Sequence, residues 1–224
     1  MKKIILISAL LTIFFGTTAN AQVDIGLIGG MNFANITEKN MGVASLKGDT
    51  KFGIGAVADI ALIDDLTLRF EPMYITKGAV ATPSGANAAD FYIKLSYLEL
   101  PFLLKYSIGT DIRPYLLAGA ALSYNTSADM ETEISGIAFM GDVSNIINSL
   151  EYSLSFGAGV SFCLETVTLF VEGKYTLGLN DIVSEGEYVL SGGQIVISEP
   201  VPDNVEIKNK GLQIFAGAVF PLDF

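Results

Sequence analysis

From Val23 onward the chain alternates between stretches in which every second residue is apolar and polar interruptions rich in Gly, Asn, Ser and Asp. A period of two places the apolar set on one face of a strand and the polar set on the other. The pattern predicts strands over 23–36, 52–63, 66–78, 91–106, 112–124, 151–163, 166–180 and 208–224. Each is long enough for the roughly 9–11 residues that a tilted strand needs to cross a bilayer. The links alternate as well. Asp64-Asp65, Ser107 to Asp111 and Leu164-Glu165 are short, whereas 37–50, 79–90, 125–150 and 184–207 are long and polar. That rhythm is the one expected of up-and-down hairpins with tight turns at one end, long loops at the other and both termini at the tight-turn end.

The two faces differ in kind. One carries Phe52, Ile54, Ala56, Ala58, Ile60 and Leu62, then Leu66, Leu68, Phe70, Pro72 and Tyr74, then Leu98, Leu100, Phe102, Leu104 and Tyr106. It continues through Tyr152 to Phe162 and Val167 to Leu177, and Lys94, at a loop-side end, is its one charge. The opposite face carries Asp59, Arg69, Glu71, Lys77, Glu99, Lys105, Arg113, Glu172 and Lys174. A soluble barrel, such as a lipocalin-like carrier, keeps apolar residues inside and charges outside. Apolar-out with charges of both signs inside is the arrangement of an all-β, eight-stranded, antiparallel up-and-down transmembrane β-barrel. Pro72, Pro101 and Pro114 fit poorly in a closed sheet, which has no free edge to tolerate a missing donor, and are expected at bulges or strand ends near a rim.

Composition narrows the class. Half of the 224 residues are hydrophobic, yet after the N-terminus no run approaches the roughly 18 consecutive apolar residues of a spanning helix. Only helices and closed barrels satisfy their backbone within lipid, which again leaves a barrel. A net charge of −11 argues against nucleic acid as a partner. Residues 1–21 read as an export signal: Lys2 and Lys3, an apolar core from Ile4 to Phe15, then Ala19-Asn20-Ala21 as a small-residue cleavage pattern. The barrel domain is then 22–224. Its last strand alternates through Leu212, Ile214, Ala216, Ala218, Phe220, Leu222 and Phe224. Phe220, Leu222 and Phe224 are read as a C-terminal signal for the outer-membrane assembly machinery.

The ordered motifs resemble those of bacterial outer-membrane β-barrels of the porin-family or PorT-like group. The stretches that carry the resemblance are Arg69-Phe70-Glu71-Pro72-Met73-Tyr74 with Lys77-Gly78, Tyr97-Leu98-Glu99-Leu100-Pro101, and Arg113-Pro114-Tyr115 with Gly119. Gly157 to Gly159 and Tyr175-Thr176-Leu177-Gly178-Leu179-Asn180-Asp181-Ile182 complete the set. The resemblance implies a barrel in the outer membrane of a Gram-negative bacterium, in contact with outer-membrane lipid, and implies no activity. One relative is linked to a protein-secretion system, so an extracellular or secretion-system partner stays open.

Candidate chemistry is sparse. The chain has no histidine, which removes His-based triads and the usual proton shuttle at neutral pH. One cysteine, Cys163, is read as a small apolar residue near a strand end. Asp129, Glu131 and Glu133, and Glu185 with Glu187, are read as solvated loop charge, so no metal and no cofactor is expected. Asp59, Arg69, Glu71, Glu99, Lys105, Arg113, Glu172 and Lys174 are expected to meet as a charge network that fills a narrow lumen. The function expected is structural or surface-interacting, with a narrow porin-like channel as its variant. The alternative is a membrane-embedded hydrolase or acyltransferase, which would need a polar constellation at the outer rim.

Overall fold

A strand leaves its N–H and C=O groups in the plane of the sheet, and in lipid nothing but another strand can meet them. The computed structural model describes residues 22–39, 43–83, 89–201 and 205–222. The proposed leader 1–21 and Phe224 lie outside the described residues. In chain order the strands are β1 (Val23–Lys39), β2 (Val43–Ile63), β3 (Leu66–Phe70), β4 (Met73–Pro83), β5 (Phe91–Ser107) and β6 (Ile112–Ile134). After them come β7 (Ile137–Asp142), β8 (Leu150–Cys163), β9 (Thr168–Gly178), β10 (Glu187–Gly192), β11 (Ile195–Pro200) and β12 (Glu206–Leu222).

The sheet closes on itself. β1 pairs with β2 on one side and with β12 on the other, the latter without interruption from Val23↔Leu222 to Lys39↔Glu206. β3 and β4 occupy one position of the ring. Against β2 the register runs through Ala58↔Phe70 and Gly55↔Met73, and against β5 through Phe70↔Phe102 and Met73↔Glu99, so nothing slips between the two strands. The ring is therefore β1, β2, β3/β4, β5, β6, β8, β9 and β12, eight antiparallel positions joined by consecutive hairpins. This is the up-and-down barrel that the alternation predicts, and closure abolishes its edges.

Of the three prolines, Pro101 departs from expectation. Pro101 lies inside β5 with its register to β6 intact from Leu100↔Leu122 to Phe102↔Ala120, so it marks neither a bulge nor an end. Glu71 N–H donates to the Pro101 carbonyl at 3.2 Å, and Ala56 N–H donates to the Pro72 carbonyl at 2.9 Å. In an antiparallel ladder such facing residues exchange two bonds, so each proline forgoes one and keeps the other. Pro72 produces the break between β3 and β4 without bending the register. Pro114 does sit near a strand start, two residues into β6.

Faces follow the alternation. Leu27, Ile54, Phe102, Leu104, Leu116, Leu154 and Phe156 are exposed on the outside, while Val57, Ile75, Leu103, Leu117, Phe170 and Phe215 are buried inside. Tyr74 and Tyr124 flank Leu98 across β4, β5 and β6, with exposed Tyr152 nearby; Tyr106, Phe162 and Phe220 are exposed toward the opposite end. Two aromatic levels bounding an apolar band are the girdles of a membrane barrel.

At the tight-turn end the connections are as short as the sequence implies. At the other end the described parts of the polar segments 37–50, 79–90 and 125–150, expected as loops, are largely strand: β1, β2, β4, β5 and β6 run on past the upper tyrosine level. β6 continues to a two-residue turn at Ser135 and Gly136, whose φ of 54° and 79° make it the primed type that suits hairpin twist. β7 returns along β6, β10 joins β7 at Ser191↔Met140, and β11 joins β10 within 184–207. The sequence reading stopped there because polar residues enter the outer positions once water replaces lipid, and the apolar-out alternation is lost.

A charge placed in the outer band should be costly, while one in the projecting strands should not. Leu154→Arg is expected to lower the stability of the refolded protein in lipid vesicles by about 2–4 kcal/mol. Val196→Arg on β11 should stay within about 0.5 kcal/mol. Urea titration of both variants checks the pair.

Candidate functional site in the barrel lumen

An eight-position ring is just wide enough for side chains to fill its interior. Aromatic rings take part of that room at glycines on the facing strands. A Cβ on Gly159 would come within 2.4 Å of the Tyr115 ring, and one on Gly217 within 2.4 Å of the Phe170 ring. The rest is taken by charge. Asp59, Arg69, Glu71, Lys77, Glu99, Lys105, Glu151, Glu172 and Lys174 are all buried.

Arg69 is the hub. Its Nε and Nη2 donate to the two carboxylate oxygens of Asp59 at 2.7 Å each, a bidentate fork between neighbouring strands. Its Nη1 donates to Glu172 Oε2 at 2.7 Å, diametrically across the ring from β3 to β9. Glu71 Oε1 faces the same nitrogen at 3.6 Å as an ion contact. Lys174 on β9 reaches back across to Glu71 and lies 2.9 Å from Glu172 Oε1. Lys105 holds Asp59 Oδ2 at 3.1 Å, and the Tyr115 hydroxyl donates to Glu172 Oε2 at 2.9 Å. The Arg69 guanidinium also lies 4.4 Å from the Phe170 ring centre, and Lys105 Nζ 4.7 Å from that of Tyr115. Those faces add attraction where water is displaced.

A second cluster sits nearer the long-loop end. Lys77 Nζ contacts Glu99 Oε2 at 2.7 Å and Glu151 Oε2 at 3.3 Å. Ser123 Oγ donates to Glu99 Oε2 at 2.9 Å, and Asn209 Nδ2 donates to Glu151 Oε2 at 2.8 Å and to the Tyr97 hydroxyl at 3.3 Å. Beyond it the lumen turns apolar. Ile36, Ile93, Leu95, Val143, Ile146, Ile182 and Ile207 pack with Met130, Tyr188 and Val201 around a residual void of about 80 Å³. At the tight-turn end a polar vestibule of about 630 Å³ leads from Asp24, Arg113 and Ser161 to Asp59 and Lys105.

Seven of the eight residues expected in the lumen are thus buried there, six in the Arg69 network and Glu99 in the second cluster. Arg113 is not. It is half-exposed at the vestibule mouth, donating to the Asp64 carbonyl at 2.9 Å and lying 3.8 Å from Asp65. It stands one residue inside β6, where an inward direction no longer means burial. The sequence reading missed Glu151, the second residue of β8 and immediately before the outward Tyr152, and Asn209, which alternates with the outward Leu212. Both lie inside the strands predicted over 151–163 and 208–224, on the inward parity. Of the C-terminal set, Phe220 is exposed on the outer face opposite Ile25 and Leu222 pairs with Val23. The hydrogen-bonded pair Ser123 and Glu99 is 0% and 1% exposed.

The comparisons with known proteins fit this geometry. A family model described as outer membrane protein beta-barrel domain matches residues 18–184. Among solved structures the chain is similar to a major outer membrane protein from Thermus thermophilus, at 11% identity, covering 91% of this chain and 100% of that one with a TM-score of 0.55. It is also similar to the outer membrane protein OprG from Pseudomonas aeruginosa, at 12% identity, 91% and 98% coverage and a TM-score of 0.52. At such identities the likeness is one of fold. No protein with a curated description matches the chain.

Because Arg69 serves three carboxylates while Glu99 shares Lys77 with Glu151, their removal should differ in cost. Breaking a buried pair costs about 3–5 kcal/mol through the charge left behind. Glu99→Ala is expected near the lower figure, since Glu151 still neutralises Lys77. Arg69→Met, which leaves the three carboxylates Asp59, Glu71 and Glu172 to Lys105 and Lys174 alone, should reach or exceed the upper one. Equilibrium unfolding in detergent measures both, and equal losses would contradict the hub.

Proposed function

The chain belongs to the outer membrane protein β-barrel domain family, and from that premise we propose that it works as a closed surface barrel rather than as an open channel. It resides in the outer membrane. The observation that carries the closed reading is the pair of diametric contacts, Arg69 to Glu172 and Lys174 to Glu71, which cross the ring at its middle. Three carboxylates and three cations meet there, so the charges neutralise one another instead of lining a water path, and Glu99 and Glu151 share Lys77 nearer the long-loop end. Above them the apolar layer of Ile93, Leu95, Ile146 and Ile182 is a second seal. The vestibule at the tight-turn end is then a blind one.

In this reading the lipid-facing band anchors the barrel, and the last strand, with Phe220 and Leu222, presents it to the assembly machinery. The functional surface is the set of strands projecting from the long-loop end, which faces out of the cell. A catalytic role is not part of the proposal, since the polar constellation of this barrel lies in its sealed middle instead of at the outer rim.

Planar-bilayer recording of the refolded protein tests closure. The expected result is no steady conductance; a sustained open level in the wild-type protein would overturn the reading in favour of a narrow pore. Protease added to intact cells tests sidedness: cleavage is expected within 184–201 and not at Asp64-Asp65. The reverse pattern would mean that the barrel is inverted.

A further inference from the structure

The sheet that leaves the ring ends in a strand with one side unpaired. Among the described residues β11 pairs with β10 alone. Gly193 and Gln194 form a two-residue turn, Gly193 at φ 60°, closed by the pair Gly192↔Ile195. The closing pair of such a hairpin exchanges both of its hydrogen bonds, and bonding then alternates along the strand. Ile195, Ile197 and Glu199 therefore turn their backbone groups toward β10. Val196, Ser198 and Pro200 turn theirs to the open side. That side offers the N–H groups of Val196 and Ser198 and the carbonyls of all three. Pro200 has no N–H to lose, and an edge is where a sheet accepts proline.

The face beside this edge is partly apolar. Register pairs line up Val80, Tyr92, Glu131, Met140, Ser191 and Val196 across β4, β5, β6, β7, β10 and β11. Tyr92, Met140 and Val196 in that row are 51%, 57% and 64% exposed, beyond the upper tyrosine level where lipid would cover them. Exposed apolar side chains grouped at a free sheet edge mark an interaction site. The charge of the projection is one-sided. Its segments 91–95, 128–134, 137–142, 187–192 and 195–200 carry Asp129, Glu131, Glu133, Asp142, Glu187 and Glu199 against Lys94.

We propose that β11 receives an extended, Lys- or Arg-bearing segment of a protein partner as an added strand. Backbone bonds to Val196 and Ser198 would hold the segment, alternate apolar side chains would lie beside Val196, and its cations, on the opposite face, would meet Glu199. A second copy of this chain is the poorer occupant, because pairing β11 with β11 brings the same acidic edges together. The proposal rests on the reading of the projecting end as the partner-binding surface and names the class of partner.

The test uses the full chain refolded in lipid nanodiscs and a fluorescent octapeptide of alternating Lys and Val, with a Glu/Val octapeptide as its charge control. Anisotropy is expected to report saturable binding of the Lys/Val peptide that weakens as salt rises. Val196→Pro and Ser198→Pro each delete one outward N–H while leaving the bonds to β10 in place. Each is expected to weaken binding about tenfold, the loss of roughly one hydrogen bond. Val196→Thr, which keeps the N–H, should bind like the wild type. Faster migration of unheated than of boiled protein checks that every variant is folded. Equal binding by wild type and both proline variants would overturn the edge. Equal binding of the two peptides would overturn the basic partner, and a dimer dissolved by Val196→Pro would replace it with a second copy. A conducting barrel would leave each of these outcomes readable, so failure of the closed reading and failure of the docking edge are distinct.

Discussion

Pairing of β1 with β12 is the constraint on which the rest of the molecule depends. In lipid an unpaired backbone group costs several kcal/mol, so a sheet with apolar outer residues is stable there only if it has no edge. The seam from Val23↔Leu222 to Lys39↔Glu206 removes both edges at once. Closure fixes the number of ring positions at eight, and eight positions fix the width of the interior. Everything inside, from the rings seated at Gly159 and Gly217 to the crossing of Arg69 and Lys174, answers to that width.

A narrow interior leaves two ways to fill it, with apolar side chains or with polar ones that satisfy one another. This barrel uses both in sequence along its axis. The ion cluster is economical in conformational entropy because its members are shared. Once Asp59 fixes Arg69 through a bidentate fork, Glu172 gains a bond to a guanidinium already held in place, and Tyr115 then meets an ordered carboxylate. An isolated buried pair would break even at best against apolar packing. The network is therefore better understood as a device for specificity than as a source of stability, since it ties β2, β3, β5, β6 and β9 into one arrangement at a fixed register.

Much of this was legible in the sequence because a membrane barrel writes its two environments on alternate residues. The strand positions of the ring and the inward direction of Asp59, Arg69, Glu71, Glu99, Lys105, Glu172 and Lys174 follow from parity alone. What parity cannot give is distance. It places Arg113 on the same face as Lys105, yet one stands at the mouth and the other in the network. It cannot tell that Pro101 keeps its register, because the tolerance comes from the single bond Glu71 still donates to it. Glu151 and Asn209 lie on the inward parity of their predicted strands, so parity carried to the strand ends would have included them.

The projecting strands were illegible for a different reason, and the reason bears on what they do. Within the membrane the outer face must be apolar, so the pattern is strong. Past the upper tyrosines the outer face meets water instead of lipid, while Ala128, Thr132 and Phe139 stay buried inside, and Asp129, Glu131 and Glu133 can occupy the outer positions of β6 at no desolvation cost. The alternation disappears while the strand continues, carried by ladder bonds and by turns such as Ser135-Gly136. Here the sheet is no longer forced to close, and it does not: the order runs out through β7 and β10 to β11. The physics that demands a sealed cylinder in lipid thus releases an open edge above it.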